Sequence, residues 1–410
     1  MRLKIENQKM NKTLNILFSS NGHGEDIIAC QIIRELKKIS AHFLFSALSL
    51  NGSGRAYREN NVRVLGPDIQ MPSGGFVRLG LRYLIKDISK GLLNLFREQV
   101  SIIKKEGRSS DFVIAVGDTF LCTLCGFFSG KKVIFVSTAQ SVHIGKFLWI
   151  DKWLMKHYSE IIFPRDEKTA LDMKEFGIPA LCLGNIMMDC LEITGEDFGI
   201  CDPSSKICAL LPGSREEAYS NIRYILDAVE EICIQSEEQK RDMPKFILAL
   251  APSIKTETIG EVSESKGWVL RPGESGKHEK KAAGFLEKNG ISVTISGKFA
   301  DILNRSDLCI GLSGTGNEQA VGLGKPVIAF PAGGPQMKHK FLKYHSKLLG
   351  GMVFITRPDK KAVAEKFFSL LNNQSVLDQC RIVGTERMGL PGAAQRIARH
   401  IYDNILQSNE

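Results

Sequence analysis

Apolar residues recur along the chain in two rhythms. Short, nearly unbroken apolar runs rich in β-branched residues alternate with longer stretches whose apolar positions return every three or four residues. In the first half the runs predict strands at 14–20, 42–48, 62–65, 111–116, 132–137, 160–164 and 179–183. The periodic stretches between them predict helices at 25–39, 76–104, 146–157 and 166–176. The second half repeats the scheme, with strands at 207–211, 246–251, 291–295, 308–311, 326–330 and 352–355. Its helices are expected at 215–234, 299–304, 317–322, 336–348 and 360–371, with a closing helix at 393–406. Runs such as F-V-I-A-V-G at 112–117 suit strands covered on both faces, as parallel sheets demand, and the alternation itself builds βαβ units.

A polar, turn-rich segment, G-E-D-F-G-I-C-D-P-S-S at 195–205, separates the halves, and the charged stretch 252–281 reads as a surface excursion. The expected fold class is α/β, with two doubly wound parallel-sheet domains facing each other across a cleft. The domains are placed at 1–195 and 206–390, and a final helix within 391–410 is expected to cross back onto the first. A length of 410 residues suits two or three domains of ordinary size.

Composition removes several classes. With 43% hydrophobic and 24% charged residues the chain is not a disordered or low-complexity protein. A net charge of +9 is compatible with phosphorylated ligands or anionic lipid and too weak to imply a nucleic-acid partner. The ten cysteines lack tight spacing and many lie inside apolar runs, as in K-I-C-A-L-L at 206–211, which points to a reducing compartment. The first residues, M-R-L-K-I-E-N-Q-K-M-N-K, carry no apolar core of signal-peptide length. The longest spanning candidate, 112–136, is interrupted by Gly117, Asp118, Gly130, Lys131 and Lys132. A cytoplasmic location is expected, with peripheral membrane contact left open.

Ligands of parallel sheets gather where strands end and helices begin, and four such turns carry chemistry. The first, S-S-N-G-H-G-E-D at 19–26, offers a helix N-terminus for an anion together with His23 and Glu25. It lacks the dinucleotide fingerprint, because position 27 is Ile. The second, A-V-G-D-T-F at 115–120, places Asp118 at a strand end, where an acid is either a helix cap or a general base. The third, L-L-P-G-S-R-E-E at 210–217, combines Gly213 and Ser214 with Arg215, a phosphate clamp; Ser214 and Glu217 also fit a plain capping box. The fourth, G-L-S-G-T-G-N-E-Q-A at 311–320, offers Ser313, Gly314, Thr315 and Gly316 as an amide nest, with Glu318 and Gln319 just inside the next helix. A carboxylate such as Glu318 can hold a vicinal diol like that of ribose.

Other signals are weaker. Cys122 and Cys125 have C-x-x-C spacing, but without a second ligand pair they read as core thiols, and no metal site is expected. No Walker A, H-E-x-x-H or G-x-S-x-G motif is present. Residues 76–99 mix apolar positions with Arg78, Arg82, Lys86, Lys90 and Arg97, which reads as a core helix with a basic face or as a contact with anionic membrane.

The motifs L-P-G-S-R-E-E (211–217) and S-G-T-G-N-E-Q-A-V-G-L-G-K-P-V-I (313–328) resemble the sugar-nucleotide half of lipid-A-disaccharide synthase. G-N-I-M-M-D at 184–189 is similar to the turn closing that family's first domain, and the likeness runs from about Leu14 to the C-terminus. The G-T-G-N-E-Q and G-P-Q (334–336) versions look most like the synthase-related subgroup. The resemblance implies a GT-B glycosyltransferase with two Rossmann-like domains, an N-terminal acceptor site and a C-terminal UDP-sugar site that includes Gln336. The first turn departs from the family's A-G-E-x-S-G-D. Its glycine–histidine pattern is closer to the peptidoglycan-precursor and galactolipid glycosyltransferases, whose histidine matches His23. The family's I-D-x-P-D-F appears as V-G-D-T-F, leaving Asp118 as the matching acid.

The leading expectation is an inverting glycosyltransferase that needs neither metal nor cofactor and moves a sugar from UDP to a lipid-linked or other hydroxyl acceptor. His23, Glu25 and Asp118 are its candidate catalytic residues. The alternatives are a UDP-sugar 2-epimerase of the same fold and a catalytically silent sugar-nucleotide-binding protein.

Overall fold

A computed structural model describes residues 13–66, 92–273, 283–334 and 337–406. The chain forms two compact units, Met1–Cys190 with Leu390–Glu410, and Leu191–Gly389.

In the first unit, β1 (Leu14–Ser20) leads into α1 (His23–Ile39), β2 (Phe43–Ser49), α2 (Arg55–Glu59) and β3 (Arg63–Val64). After α3 (Leu92–Ser109) come β4 (Phe112–Gly117), α4 (Thr119–Ser129), β5 (Val133–Ser137), α5 (Trp149–Tyr158), β6 (Ser159–Pro164) and α6 (Glu167–Glu175). The described strands form one sheet of order β3-β2-β1-β4-β5-β6, parallel throughout. Side chains alternate between its faces. Ile16, Phe18, Ile114 and Val116 pack with Ile28 and Ile32 of α1 and with Ile397 and Ile401 of the C-terminal helix Ala393–Ile401. Leu17, Val113, Ala115 and Phe135 face the other way, toward Ile103 of α3, Leu121 and Cys125 of α4 and Met155 of α5. Each such large side chain contributes about 1.5–3 kcal/mol when fully buried. The C-terminal helix is anchored at its start by Asp189, whose carboxylate accepts the backbone N–H groups of Gly392 and Ala394.

The second unit winds the same way. Its elements are β7 (Ile207–Leu211), α7 (Glu217–Glu238), β8 (Lys245–Ala249), α8 (Thr256–Glu264), β9 (Val269–Pro272), β10 (Gly284–Lys288), β11 (Ile291–Ser296) and α9 (Phe299–Arg305). There follow β12 (Leu308–Gly311), α10 (Thr315–Gly322), β13 (Val327–Ala329), α11 (His339–Leu348), β14 (Val353–Ile355), α12 (Lys360–Leu371) and α13 (Gln374–Met388). The order β14-β13-β12-β7-β8-β11 is parallel, and the antiparallel pair β10-β9 extends its edge.

Three expectations need correction, and one helix goes unpredicted. The stretch 179–183 is not a strand: it meets β6 through a single bridge, Ile162 to Ala180, and Pro179 has no amide with which to extend a ladder. The periodic stretch 76–104 is helical from Leu92 and runs on to Ser109, while 76–91 lie outside the described residues. The surface excursion at 252–281 holds α8 and β9, pinned by Trp268, which is fully buried. Its hairpin partner β10 turns into β11 through Asn289 and Gly290, both at positive φ, the pairing that favours a two-residue hairpin. Helix α13 has too weak an apolar rhythm to stand out in the sequence.

Candidate functional site

Both sheets reverse direction next to their first strand, β1 against β4 and β7 against β12. At such a reversal the loops leaving two neighbouring strands turn to opposite faces and open a crevice at the carboxyl edge. The four turns singled out in the sequence are the loops at these two reversals.

In the second unit the crevice is an open cleft. Gly213, Ser214 and Arg215 after β7 and Ser313, Gly314 and Thr315 after β12 line it. Helix α10 begins at Thr315, two residues before the sequence rhythm suggests, so its N-terminus opens at the cleft. One first-turn amide is already used, because Gly316 N–H donates to Ser313 Oγ at 3.2 Å. The capping-box reading of the β7 turn does not apply. Helix α7 starts at Glu217, with Glu216 as N-cap and no side-chain cap, so Ser214 stays in the cleft wall.

Asn221 of α7 joins the cleft loops and was not singled out in the sequence. Its buried amide donates to Pro212 O at 3.0 Å and accepts from Gly333 N–H at 3.0 Å. A buried Asn on the inner face of an amphipathic helix is the signal that could have found it. Asn317 does related work behind the β12 turn, donating to Gly311 O at 3.0 Å. A Cβ on Gly311 would lie 2.1 Å from the Asn317 amide oxygen, so only glycine fits there.

Glu318 and Gln319 sit in the first turns of α10, behind the residues that line the cleft. Glu318 Oε1 lies 3.6 Å from Nε2 of His345 on α11, a buried imidazole. Gln319 is buried. Gln336 lies outside the described residues.

In the first unit the reversal gathers carboxylates. Asn21, just after β1, accepts the Asp118 backbone N–H at 2.9 Å. Gly117 makes this approach possible: its φ is +155°, and a Cβ there would collide with the Asn21 amide oxygen. Asp118 caps α4, accepting Leu121 N–H at 3.0 Å. Asp26 is fully buried, with Ser20 Oγ donating at 2.5 Å and Ser49 Oγ at 3.0 Å, and Tyr57 donates to Ser20 at 2.8 Å. Burial raises the Asp26 carboxyl above its ordinary range, although the two serines oppose the rise.

Glu25, in the first turn of α1, is pushed up to about 7. Burial is the main cause, and the negative charges of Asp26 and Asp118 add to it. His23 is exposed at the helix start. Thus the turn expected to receive an anion carries its own acids in the first helical turn, and one of them exchanges its proton near neutrality. Cys122 and Cys125 are buried in α4 with thiols pushed up by burial, as core cysteines are.

No family model matches the chain, and comparison with curated proteins gives no match. Solved structures do match. The UDP-GlcNAc 2-epimerase from Neisseria meningitidis, bound to UDP-GlcNAc, shares 16% identity over 95% of this chain and 100% of its own, with a TM-score of 0.53. Acinetobacter baumannii MurG shares 13% identity over 95% and 99% of the two chains, with a TM-score of 0.55. The glycotransferase of kitacinnamycin shares 13% over 94% and 98%, with a TM-score of 0.52. The fold is GT-B-like. At these identities the likeness is one of architecture, two parallel-sheet α/β units in one chain. Among the described residues no helix is long and apolar enough to cross a membrane.

Proposed function

We propose that the chain is an inverting glycosyltransferase that takes a sugar from a UDP-sugar to a hydroxyl of a lipid-linked acceptor at the cytoplasmic face of a membrane. The observation that carries the donor half is the second-unit cleft, which Arg215 and the N-terminus of α10 both line. A departing diphosphate needs positive charge. A guanidinium and a helix N-terminus supply it without a metal. Glu318, on the first turn of α10, is assigned to the ribose diol, and Gln336 to the sugar hydroxyls.

The acceptor half rests on Glu25. A base that removes a hydroxyl proton works best when its own pKa lies near the ambient pH, and Glu25 at about 7 meets that condition. Asp118 has one oxygen committed to capping α4 and holds Glu25 upward by its charge, so we assign it the supporting role. His23 at the rim is assigned to acceptor contact. The motif resemblance to lipid-A-disaccharide synthase is what favours a lipid-linked acceptor.

The test is turnover of a panel of UDP-sugars with and without membrane lipid extract. Acceptor-dependent release of UDP supports the reading. Inversion at C2 of UDP-GlcNAc without acceptor, accompanied by solvent deuterium at that carbon, replaces it with the epimerase reading. UDP binding with no turnover under either condition leaves a silent binding protein.

A further inference from the structure

One face of the first unit departs from the surface of an ordinary globular domain. Helix α4 lies between α3 and α5 on the sheet and buries Leu121, Cys122, Leu124 and Cys125 beneath it. Its outer stripe, Phe120, Thr123 and Phe127, follows helical spacing, and the two phenylalanines are 56% and 62% exposed. The start of α5 continues the patch with Leu148 at 65% and Trp149 at 66% exposure, followed by Ile150 and Trp153, both exposed. Ring contacts join the pieces. Phe96 of α3 stacks on Phe120 with centroids 6.4 Å apart, and Phe127 meets Tyr158 of α5 at 6.4 Å. Single exposed apolar residues are common, whereas a contiguous aromatic patch marks a binding surface.

The charge beside this patch identifies the occupant. On α3, next to α4, Arg97, Lys104 and Arg108 lie on one stripe at spacings of seven and four, with Lys105 beside them, and all four are exposed. Glu98 is the exposed acid of that helix. Exposed aromatics, two of them tryptophans, next to a basic stripe match the layered chemistry of a bilayer surface: indole rings settle at headgroup depth and cations pair with anionic headgroups. We infer that the outer face of α3, α4 and α5 docks the first unit onto an anionic lipid surface. The inference does not depend on the proposed reaction. The stretch 76–99 expected to touch the membrane lies mostly outside the described residues, and its end, 92–99, belongs to α3.

The chain reports on this contact by itself. It has three tryptophans; Trp149 and Trp153 are on the face, and Trp268 is buried in the second unit. The experiment mixes the full chain with vesicles of phosphatidylcholine, with or without phosphatidylglycerol, at low and high salt, and follows flotation and tryptophan emission. The wild type is expected to float with the anionic vesicles at low salt, with a blue-shifted emission. The triple variant Phe120→Ser, Phe127→Ser, Leu148→Ser keeps both reporters and should lose about tenfold or more in partitioning. Lys104→Glu with Arg108→Glu should remove the preference for anionic vesicles. These residues are exposed, and circular dichroism verifies that each variant folds. Failure of the wild type to bind anionic vesicles, or wild-type binding by both variants, overturns the inference. So does self-association in sedimentation that the serine variant abolishes, since the face would then hold a second copy.

Discussion

The amide oxygen of Asn21 accepts the backbone N–H of Asp118 at 2.9 Å, tying the loop after β1 to the loop after β4 across the reversal of the first sheet. Gly117 alone among the residue types permits this bond, through its φ of +155° and its missing side chain. Gly117→Ala should therefore cost about 1–3 kcal/mol, from strain at that φ and the lost bond together. Asn21→Ala should cost less, because it leaves the backbone unstrained. Equal denaturation midpoints for wild type and Gly117→Ala would contradict this.

Glu25 yields a prediction with a definite sign in pH. Its folded pKa of about 7 lies above its ordinary value of 4.5, so the folded chain holds the proton more tightly than the unfolded one between those limits. Stability should fall as pH rises from about 4.5 to 7 and level off above. Glu25→Gln should remove that slope and gain up to about 3 kcal/mol at pH 8. Urea titrations across this range measure it.

The same variant separates stability from catalysis. Under the proposed reaction Glu25→Gln should lower turnover by about 10²–10⁴ with UDP affinity unchanged, and the acidic limb of the wild-type rate profile should break near 7. Near-normal turnover in Glu25→Gln moves the base to His23 or Asp118, and single variants of those residues then decide between them.

Asn221 should matter to the cleft without touching ligand. Asn221→Ala strands Pro212 O and Gly333 N–H, which it now pairs at 3.0 Å each. A loss of about 1–3 kcal/mol in stability is expected. UDP affinity should fall with it, because Gly333 and Gly213 both line the cleft. Calorimetry on a variant confirmed to be folded tests the second part.

Arg215→Ala and Glu318→Ala should each weaken UDP binding by about 1.5–3 kcal/mol, the range for hydrogen bonds to charged groups. Unchanged affinity in both would remove the donor assignment. If Glu318→Ala alone leaves affinity intact, the carboxylate beside His345 serves packing rather than ribose.

The linker is held at its start. Asp301 of α9 accepts the amides of Thr194 and Gly195 at 2.8 Å each and the Thr194 hydroxyl at 2.8 Å. Burial opposes its charge, yet these donors outweigh it and hold the carboxyl below its ordinary range. Its stabilising contribution should be complete above the ordinary value of 3.8 and fade as pH falls through the lower folded value. Asp301→Ala should accordingly destabilise the second unit, measured by denaturation at neutral pH.

Strand and helix positions were legible in the sequence wherever burial imposed a rhythm. β1, β7 and β12 match their predicted spans because both faces of a central parallel strand must be apolar. The four loops were legible for a related reason: a strand that turns directly into a helix needs glycine, a cap or a small polar residue there, and those types stand out between apolar runs. What the sequence alone could not settle is what each loop residue does once neighbouring strands meet. Asp118 reads equally as cap and as base in one dimension, and only the β1–β4 reversal placed it beside Asn21 and within electrostatic reach of Glu25. Glu25 stood out in the sequence as one of three candidate catalytic residues, but its proton affinity was not legible there: burial and two neighbouring carboxylates raise it to about 7. The partnership of Asn221 with Gly333 spans 112 positions, and that of Glu318 with His345 joins two helices. Local pattern determines which residues are buried, but pKa, pairing and cleft shape arise from contacts between distant segments, and only the tertiary fold brings those segments together.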